Sequence, residues 1–265
     1  MRLNPKWHAF YASLNNIHSS RYIPENIYDA DYNLLNIKNY AKSLPVKEVD
    51  GFIKPTIDSG YGKNIKKCKI RDGKIFIDEV LQDINKLKSS YNGEFIIQKG
   101  IDQSSILSDI YPCSVNSIRS VSLRDGNKIV VLSTQLHFGN HQSYVSYTGY
   151  SAVVCGVDQY GKMTEFGYDG KFNKIFEHPF TRKPFKDIAL PKFSELEKVI
   201  IQGHERLPHF KLVYWDFGLD NLNQYVMIEY NLLFPGINYH QVIDGPIFEK
   251  YLDGIMDNLH EPEYI

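Results

Sequence analysis

The sequence predicts an α+β protein built on antiparallel sheets. Short apolar runs occur in pairs joined by turn residues, as at Asp72-Gly73 and Asp125-Gly126, and such pairs are typical of β-hairpins. Helical stripes stand between the hairpins instead of following each strand, which argues against a doubly wound parallel sheet. With 265 residues, 43% of them apolar and 23% charged, the chain is long enough to bury one large core or two small ones.

The first hundred residues begin with an arm, residues 1–50, that is rich in Asn, Tyr and Ser. We expect short helices or irregular structure there. The run DGFIKP (50–55) predicts a strand that ends at proline, and a hairpin turns at Asp72-Gly73. A helix capped by Asp78 should follow, and then a strand within GEFIIQKGI (93–101). The apolar stripe of that helix comprises Val80, Leu81, Ile84 and Leu87.

The rest of the chain alternates hairpins with two helices. Long strands flank Asp125-Gly126, a hairpin turns at Gln159–Gly161, and another spans 211–231. One helix carries a capping box, Ser194 with Glu197. Its apolar stripe comprises Leu196, Val199, Ile200 and Leu207. The last helix begins after a proline, and its apolar face comprises Phe248, Leu252, Ile255 and Leu259.

Composition argues against several classes of protein. The formal net charge is −1, without the basic excess typical of nucleic-acid-binding domains. Cys68, Cys113 and Cys155 are widely spaced, so neither a zinc knuckle nor a disulfide framework is indicated, and so few cysteines are typical of a reducing compartment. The sequence shows no signal-peptide pattern and no apolar run of the roughly 20 residues that span a membrane. We therefore expect a cytoplasmic protein with no nucleic-acid partner and no membrane span.

One apolar strand, in the run QYVMIEYNLLFPG (224–236), ends in a carboxylate. Glu229 shares a strand face with Asn231 because side chains repeat every two residues. If the hairpin turns tightly at Leu222-Asn223, Asp216 on the preceding strand lies directly across from Glu229. Facing like charges destabilise a sheet unless a cation neutralises them, and hard oxygen ligands suit Mg²⁺. The alternative is a solvated strand end with ordinary acidic residues.

A second candidate site follows the strand that carries Lys54. The loop DSGYGK (58–63) contains two glycines, whose flexible backbone can bring N–H groups close to phosphate oxygens. Its spacing fits neither a Walker A loop nor a dinucleotide-binding fingerprint. The alternative is a surface loop with solvated lysines.

The order of these motifs resembles the ATP-grasp superfamily, in particular its sugar-transfer-associated proteins. From Gly51 to Tyr251 the chain carries FIKP with DSGYGK, then FIIQKGI, SVNSIRSVSL, LHFG, EHPFTRKPFKDIALP, YWDFG and MIEYNLLFPG. The resemblance implies two α+β lobes that grip Mg-ATP between antiparallel sheets. We accordingly expect a small lobe at 51–97 and a large lobe at 98–265, preceded by the arm at 1–50.

The resemblance also implies roles for individual residues. Those that match contacts to the ATP phosphates or to adenine are Lys54, Ser59, Gly60, Gly62, Gln98, Lys99 and Ile101. Those that match magnesium ligands are Asp216, Glu229 and Asn231. Arg119 matches an arginine that faces the transferred phosphate, where its guanidinium can bind oxygens in a bidentate manner. The catalytic candidates are Lys54, Arg119 and His137.

Several positions depart from the family pattern. Gln98 stands where the hinge often has glutamate, and His137 stands where a strand usually has arginine. If His137 replaces that arginine as a cation, neighbouring anions should raise its pKa above the ordinary value of about 6.5. The alternative is a neutral histidine, hydrogen-bonded inside the sheet. In addition, SYVSYTGYSAV replaces an expected glycine-rich run, and the arm is shorter than the α/β domain that precedes these lobes in related proteins.

Three functions stay open at this point. The first is a carboxylate–amine ligase that forms an amide through an acyl phosphate, while Lys54, Arg119 and Mg²⁺ stabilise the transferred group. The implied substrate of this ligase is an amino acid or sugar acid from surface polysaccharide assembly. The second is a kinase on the same fold that phosphorylates a small molecule, and the third is a non-catalytic nucleotide-binding protein.

Overall fold

The computed structural model describes residues 22–24, 27–28, 34–35, 48–55, 64–72, 74–91, 95–140, 153–232 and 236–254. The glycine-loop candidates Ser59, Gly60 and Gly62 lie outside the described residues. So do the run 141–152, Ile255 and Leu259. The chain divides into two compact units, residues 1–102 and 103–265. The boundary therefore falls after the segment 98–101, which we expected to open the large lobe.

The described residues of the first unit form eight strands, all paired antiparallel, and one helix. The strands are β1 (Tyr22–Pro24), β2 (Ile27–Tyr28), β3 (Leu34–Leu35), β4 (Val49–Pro55), β5 (Lys66–Arg71), β6 (Lys74–Ile77), β7 (Val80–Leu81) and β8 (Phe95–Lys99). Six of them form one sheet in the order β1-β8-β4-β5-β6-β7, and β2 pairs with β3 separately. Because β1 pairs with β8, part of the expected arm belongs to this sheet.

The two central strands, β4 and β8, present different chemistry on their two faces. Ile53 and Ile97 are paired and fully buried, and they belong to a core that also contains Leu87 of helix α1 (Ile84–Ser90). Because side chains alternate along a strand, Lys54 and Gln98 lie on the opposite face. Both of these polar side chains are nevertheless buried.

The predicted start of α1 is wrong. Asp78 and Glu79 both have left-handed backbone angles, φ 50° and 59°, and they form the turn that joins β6 to β7. Val80 and Leu81 consequently lie on β7, where they are 61% and 54% exposed. The helix begins later, and its cap is Asp83, whose Oδ1 accepts hydrogen bonds from the N–H groups of residues 85 and 86.

The second unit contains a seven-stranded antiparallel sheet. Its strands are β9 (Ser117–Asp125), β10 (Lys128–Phe138), β11 (Val153–Val157), β12 (Met163–Asp169), β13 (Lys174–Ile175), β14 (Leu212–Leu219) and β15 (Tyr225–Asn231). Their order is β13-β12-β11-β10-β9-β14-β15. The helices are α2 (Ser105–Ser108), α3 (Phe193–Glu205), α4 (Asn238–Asp244) and a 3₁₀ turn, Glu249–Tyr251. The predicted α+β class with antiparallel sheets is confirmed.

Helix α3 covers one face of this sheet. Its residue His204 contacts the Ser122 hydroxyl through Nδ1 at 2.7 Å, and Gly203 leaves room for the buried Trp215 ring. The predicted capping box is wrong, because Lys192 occupies the N-cap with a left-handed backbone and Ser194 already lies inside the helix. Leu196 and Ile200 are buried as predicted.

Helix α4 packs against the other face of the sheet, and the sequence patterns did not predict it. Gly156 on β11 permits this packing, because a Cβ atom there would lie 2.5 Å from the Ile243 side chain. Beyond α4, the predicted last helix starts with a 3₁₀ turn, and Leu252 is 50% exposed. Within the described part of the chain, no helix combines the length and apolar character that crossing a membrane requires.

Candidate functional site

The hairpin of β14 and β15 places Asp216 directly opposite Glu229, as the sequence predicted. The predicted tight turn is not what produces this pairing. Near the loop, Leu219 pairs with Tyr225 and Phe217 with Met227, so the ladder alone would place Glu229 opposite Trp215. A β-bulge inserts Ile228 as an extra residue and moves Glu229 to the Asp216 face.

This face carries a continuous row of polar side chains across four strands. The ladders pair Glu229 with Asp216, Asp216 with Arg119, and Arg119 with Gln135. Directly opposed residues in a ladder project to the same side of the sheet. The structure therefore brings together three of the predicted site residues, Glu229, Asp216 and Arg119, and it adds Gln135, which the sequence did not single out.

Arg119 and Asp216 form a bidentate ion pair. Arg119 donates from Nε to Oδ1 and from Nη2 to Oδ2 of Asp216, each at 2.7 Å. Burial by itself would lower the pKa of Arg119, but the charge and hydrogen bonds of Asp216 outweigh it, so this pKa is raised. The Asp216 side chain is 5% exposed and that of Arg119 is 23% exposed, so the pair holds a charged carboxylate inside the fold.

The oxygen donors at this hairpin fit a magnesium ion. Asn231 lies beside the pair, with its amide Nδ2 3.4 Å from Asp216 Oδ2. An amide can present its oxygen by turning over, so two carboxylates and one amide oxygen are available, which is the donor chemistry that Mg²⁺ prefers. Among the described residues, no group of three or more His, Cys, Asp or Glu side chains is arranged to hold a metal.

His137 is neutral, contrary to the expected cationic role. It is buried at 3% exposure on β10, and its pKa lies well below the ordinary value because of burial, the charge of Arg119 and the proximity of His240. Its Nε2 lies 3.3 Å from Gln135 Oε1. The prediction of a raised pKa is wrong, and the alternative of a neutral histidine hydrogen-bonded inside the sheet describes this residue.

Helix α4 supplies further residues that the sequence did not indicate. His240 is 1% exposed, and its Nδ1 lies 2.5 Å from the Ser133 hydroxyl of β10. The same hydroxyl donates to Asp244 Oδ2 at 2.5 Å. Tyr239 contacts the His137 ring edge-on, with centroids 6.3 Å apart. The polar character of these contacts left no apolar stripe from which the helix could be predicted.

The free energy of unfolding should fall as the pH drops below about 6.5. Burial, followed by the charge of Arg119, lowers the pKa of His240 to about 3. Unfolded His240 binds a proton in this window and folded His240 does not. The contribution of neutral His240 to the free energy of unfolding is therefore complete above pH 6.5. Between pH 6.5 and pH 3 it is lost at about 1.4 kcal/mol per pH unit. His240→Gln should remove this part of the pH dependence.

Urea unfolding at pH values near 7.5 and 5.5 measures this effect. The loss of stability between the two should be about 1.4 kcal/mol smaller in His240→Gln than in the wild type. His209 is exposed, so His209→Gln is the matched control and should behave like the wild type. An identical loss in all three proteins would contradict the buried neutral state of His240.

The first unit holds the remaining nucleotide candidates. Phe52 pairs with Gln98, so their side chains lie on the same face of the sheet. Lys54 is two residues beyond Phe52 on β4, so it shares that face with Gln98. Lys99 is exposed at the end of β8, and the N–H of Gly100 donates to the Asp50 carbonyl at 2.9 Å. Ile101 follows directly and is half-buried. A lysine and an amide on one face can bind phosphate oxygens and a base edge respectively.

The fold of this chain is similar to that of a larger protein of known structure. The D-alanine–D-alanine ligase from Helicobacter pylori is 14% identical, with a TM-score of 0.50, over 96% of this chain and 57% of the ligase. The L-amino acid ligase from Bacillus licheniformis is 11% identical, with a TM-score of 0.42, over 94% of this chain and 42% of the ligase. The chain thus spans about half the length of these two proteins. No curated protein sequence matches it.

The sequence itself matches one family model across most of its length. That model, described as sugar-transfer associated ATP-grasp, covers residues 22–256. It includes the two described sheets and all of the site residues named above. The chain belongs to the sugar-transfer associated ATP-grasp family.

Proposed function

We propose that this protein is an ATP-dependent ligase that joins a carboxylate to an amine and releases ADP and phosphate. The observation that carries the proposal is the row formed by Glu229, Asp216 and Arg119. It combines oxygen donors that suit Mg²⁺ with a guanidinium that suits phosphate oxygens. Family membership supports the use of ATP.

The first unit would provide the nucleotide contacts. Lys54 would bind the phosphates, and the segment of Gln98, Lys99 and Ile101 would hold adenine largely through its backbone. The loop with Ser59, Gly60 and Gly62 would cover the phosphates. In the second unit, Asp216, Glu229 and Asn231 would hold Mg²⁺, which when bound draws charge from the phosphate oxygens.

The reaction would proceed in two transfers. A substrate carboxylate oxygen attacks the γ-phosphorus as the bond to ADP breaks, and an acyl phosphate forms. The amine nitrogen then attacks the acyl carbon, the bond to phosphate breaks, and the nitrogen loses a proton to give the amide. Arg119 would stabilise charge on the transferred group, and Lys54 would stabilise the ADP that leaves. His137 would act as a neutral partner that orients Gln135.

The substrates would be small molecules, with an amino acid or a sugar acid as the carboxylate. The family description associates these proteins with sugar transfer, which supports a role in surface polysaccharide assembly. The sparse cysteines, all unpaired, support a cytoplasmic location.

Product analysis tests this function. The protein is incubated with Mg-ATP and a panel of carboxylates and amines, and nucleotide, phosphate and acceptor products are separated. A ligase gives ADP and free phosphate only when both substrates are present. A stable phosphoester without free phosphate identifies a kinase, AMP with pyrophosphate identifies an adenylate mechanism, and no turnover with intact nucleotide binding identifies a non-catalytic protein.

Lys54→Ala should weaken ATP binding about tenfold or more, because a buried cation that faces the phosphates is removed. Calorimetry with a non-hydrolysable ATP analogue measures the affinity. Lys74 is an exposed lysine of the same sheet, and Lys74→Ala should bind the analogue like the wild type. Equal affinity in all three proteins would remove Lys54 from the phosphate site.

A further inference from the structure

Four buried polar atoms on the sheet face of Arg119 have no hydrogen-bond partner among the residues that the structure describes. They are Gln135 Nε2, His137 Nδ1, the Tyr214 hydroxyl and His240 Nε2. Each such atom lowers the stability of the fold, and native folds contain few of them. Four such atoms on one face of the sheet favour a polar ligand that would satisfy them.

We propose that these atoms form a subsite for an uncharged group that both donates and accepts hydrogen bonds, such as the hydroxyl of a substrate. The subsite rests on the proposed function in one respect, since its occupant is a substrate of that reaction. It differs from the cationic role that the sequence led us to expect for His137. The residues of the subsite are Gln135, His137, Tyr214 and His240.

The register places all four residues together. Gln135 lies opposite Arg119, and His137 follows it on the same face of β10. Tyr214 precedes Asp216 by two residues on β14, so it shares their face. The His240 ring approaches the Tyr214 ring edge-on, with centroids 5.8 Å apart.

Hydrogen bonding fixes the tautomer of His240. The Ser133 hydroxyl has one hydrogen, which it donates to the Asp244 carboxylate, so its oxygen can only accept from His240 Nδ1. Nδ1 therefore carries the ring hydrogen, and Nε2 presents a lone pair. A chain of two short bonds, from His240 through Ser133 to Asp244, holds this acceptor in place.

The neighbouring pair is oriented by the same logic. Gln135 Oε1 can only accept, so His137 Nε2 carries the hydrogen of their 3.3 Å contact. His137 Nδ1 is then a second acceptor, while the Gln135 amide nitrogen keeps its donors. The subsite therefore presents both hydrogen-bond acceptors, on the two imidazole rings, and a donor, on the Gln135 amide. A hydroxyl group complements this pattern because it can donate one hydrogen bond and accept others.

Charge separates a hydroxyl from a carboxylate at this subsite. The Arg119 guanidinium already binds one carboxylate, that of Asp216, through two hydrogen bonds. Burial keeps both imidazoles neutral. The Asp244 carboxylate lies behind His240, and it would repel a substrate carboxylate that entered the subsite.

Nitrogen NMR of the full-length, ¹⁵N-labelled protein tests the arrangement. Long-range correlations should show His240 with hydrogen on Nδ1, and His240→Gln identifies these signals by their loss. Ser133→Ala should abolish the fixed tautomer. The matched control is Ser122→Ala, which removes the hydroxyl beside His204 on the opposite face and should leave the His240 signals in place. Hydrogen on Nε2 in the wild type would overturn the proposal.

Two small probes test the chemical class. Glycerol should shift the His240 Nε2 signal, and glycerate, which has a carboxylate in place of one hydroxymethyl group, should bind about tenfold more weakly or worse. Gln135→Leu should abolish the glycerol response while the His240 tautomer persists. No response to glycerol, as expected if only a water occupies the subsite, or tighter binding of glycerate would overturn the proposal. Binding of Mg-ATP to the wild-type protein is measured in a separate experiment. A wild-type protein that does not bind Mg-ATP would contradict the proposed function, whereas the tautomer of His240 is tested by the NMR signals alone.

Discussion

Glu229→Gln should lower ATP turnover by about 100-fold or more, since a charged ligand beside the transferred phosphate is lost. Asn231→Ala should act in the same direction. Neither change should lower the melting temperature of the protein. Glu229 is only half-buried, and it directly faces another carboxylate across the ladder, so its neutralisation removes a repulsion. Turnover across a range of Mg²⁺ concentrations, with thermal melting alongside, measures both effects.

The control for this experiment is Glu165→Gln, because Glu165 is an exposed glutamate on β12 of the same sheet. It should retain the turnover and the Mg²⁺ dependence of the wild type. Wild-type activity of Glu229→Gln and Asn231→Ala at limiting Mg²⁺ would remove both residues from the metal site. A fall in turnover that is matched by unfolding would show that the hairpin needs these residues for its structure.

Arg119→Met should destabilise the fold by about 3 kcal/mol and lower turnover at least as strongly as Glu229→Gln. The stability effect arises at Asp216, which is 4% exposed. Without the guanidinium, this buried carboxylate loses the partner of its bidentate ion pair. Urea unfolding measures the first effect, and steady-state turnover measures the second.

The double variant Arg119→Met with Asp216→Asn separates structure from chemistry. It removes both charges of the bidentate pair, so much of the lost stability should return. Turnover should not return, because a phosphate-facing cation and a metal ligand are both missing. Recovery of turnover in the double variant would show that the ion pair only supports the fold.

The sequence allowed the prediction that Asp216 faces Glu229, although it did not allow prediction of the backbone that achieves it. Alternation along the two strands and the spacing to the turn restricted the register to a few choices. The bulge at Ile228 adds one residue to one strand only, and the alternation of side chains gives no signal for such an insertion. The magnesium and nucleotide roles came from the order of motifs, and they stay predictions.

Two misjudged helices show where periodicity fails. Val80 and Leu81 continue the apolar spacing of α1, yet a two-residue turn at Asp78 and Glu79 takes them into β7. Helix α4 was missed for the opposite reason. It contacts the sheet through His240 and its hydrogen bond to Ser133, and a polar contact leaves no stripe in a hydrophobicity pattern.

The bulge at Ile228 alone sets which residue faces Asp216 in the acidic hairpin. Leu219 pairs with Tyr225 next to the loop, and this pairing leaves Glu229 one position out of step until Ile228 is passed. A residue added to the loop would not remove this mismatch as long as Leu219 still pairs with Tyr225. Deletion of Ile228 would remove it, and the ladder could then run without interruption from the loop to the pair of Asp216 and Glu229. The loop can therefore change in length without moving the carboxylates, whereas one residue added to or removed from the strand between Met227 and Glu229 would change the partner of Asp216.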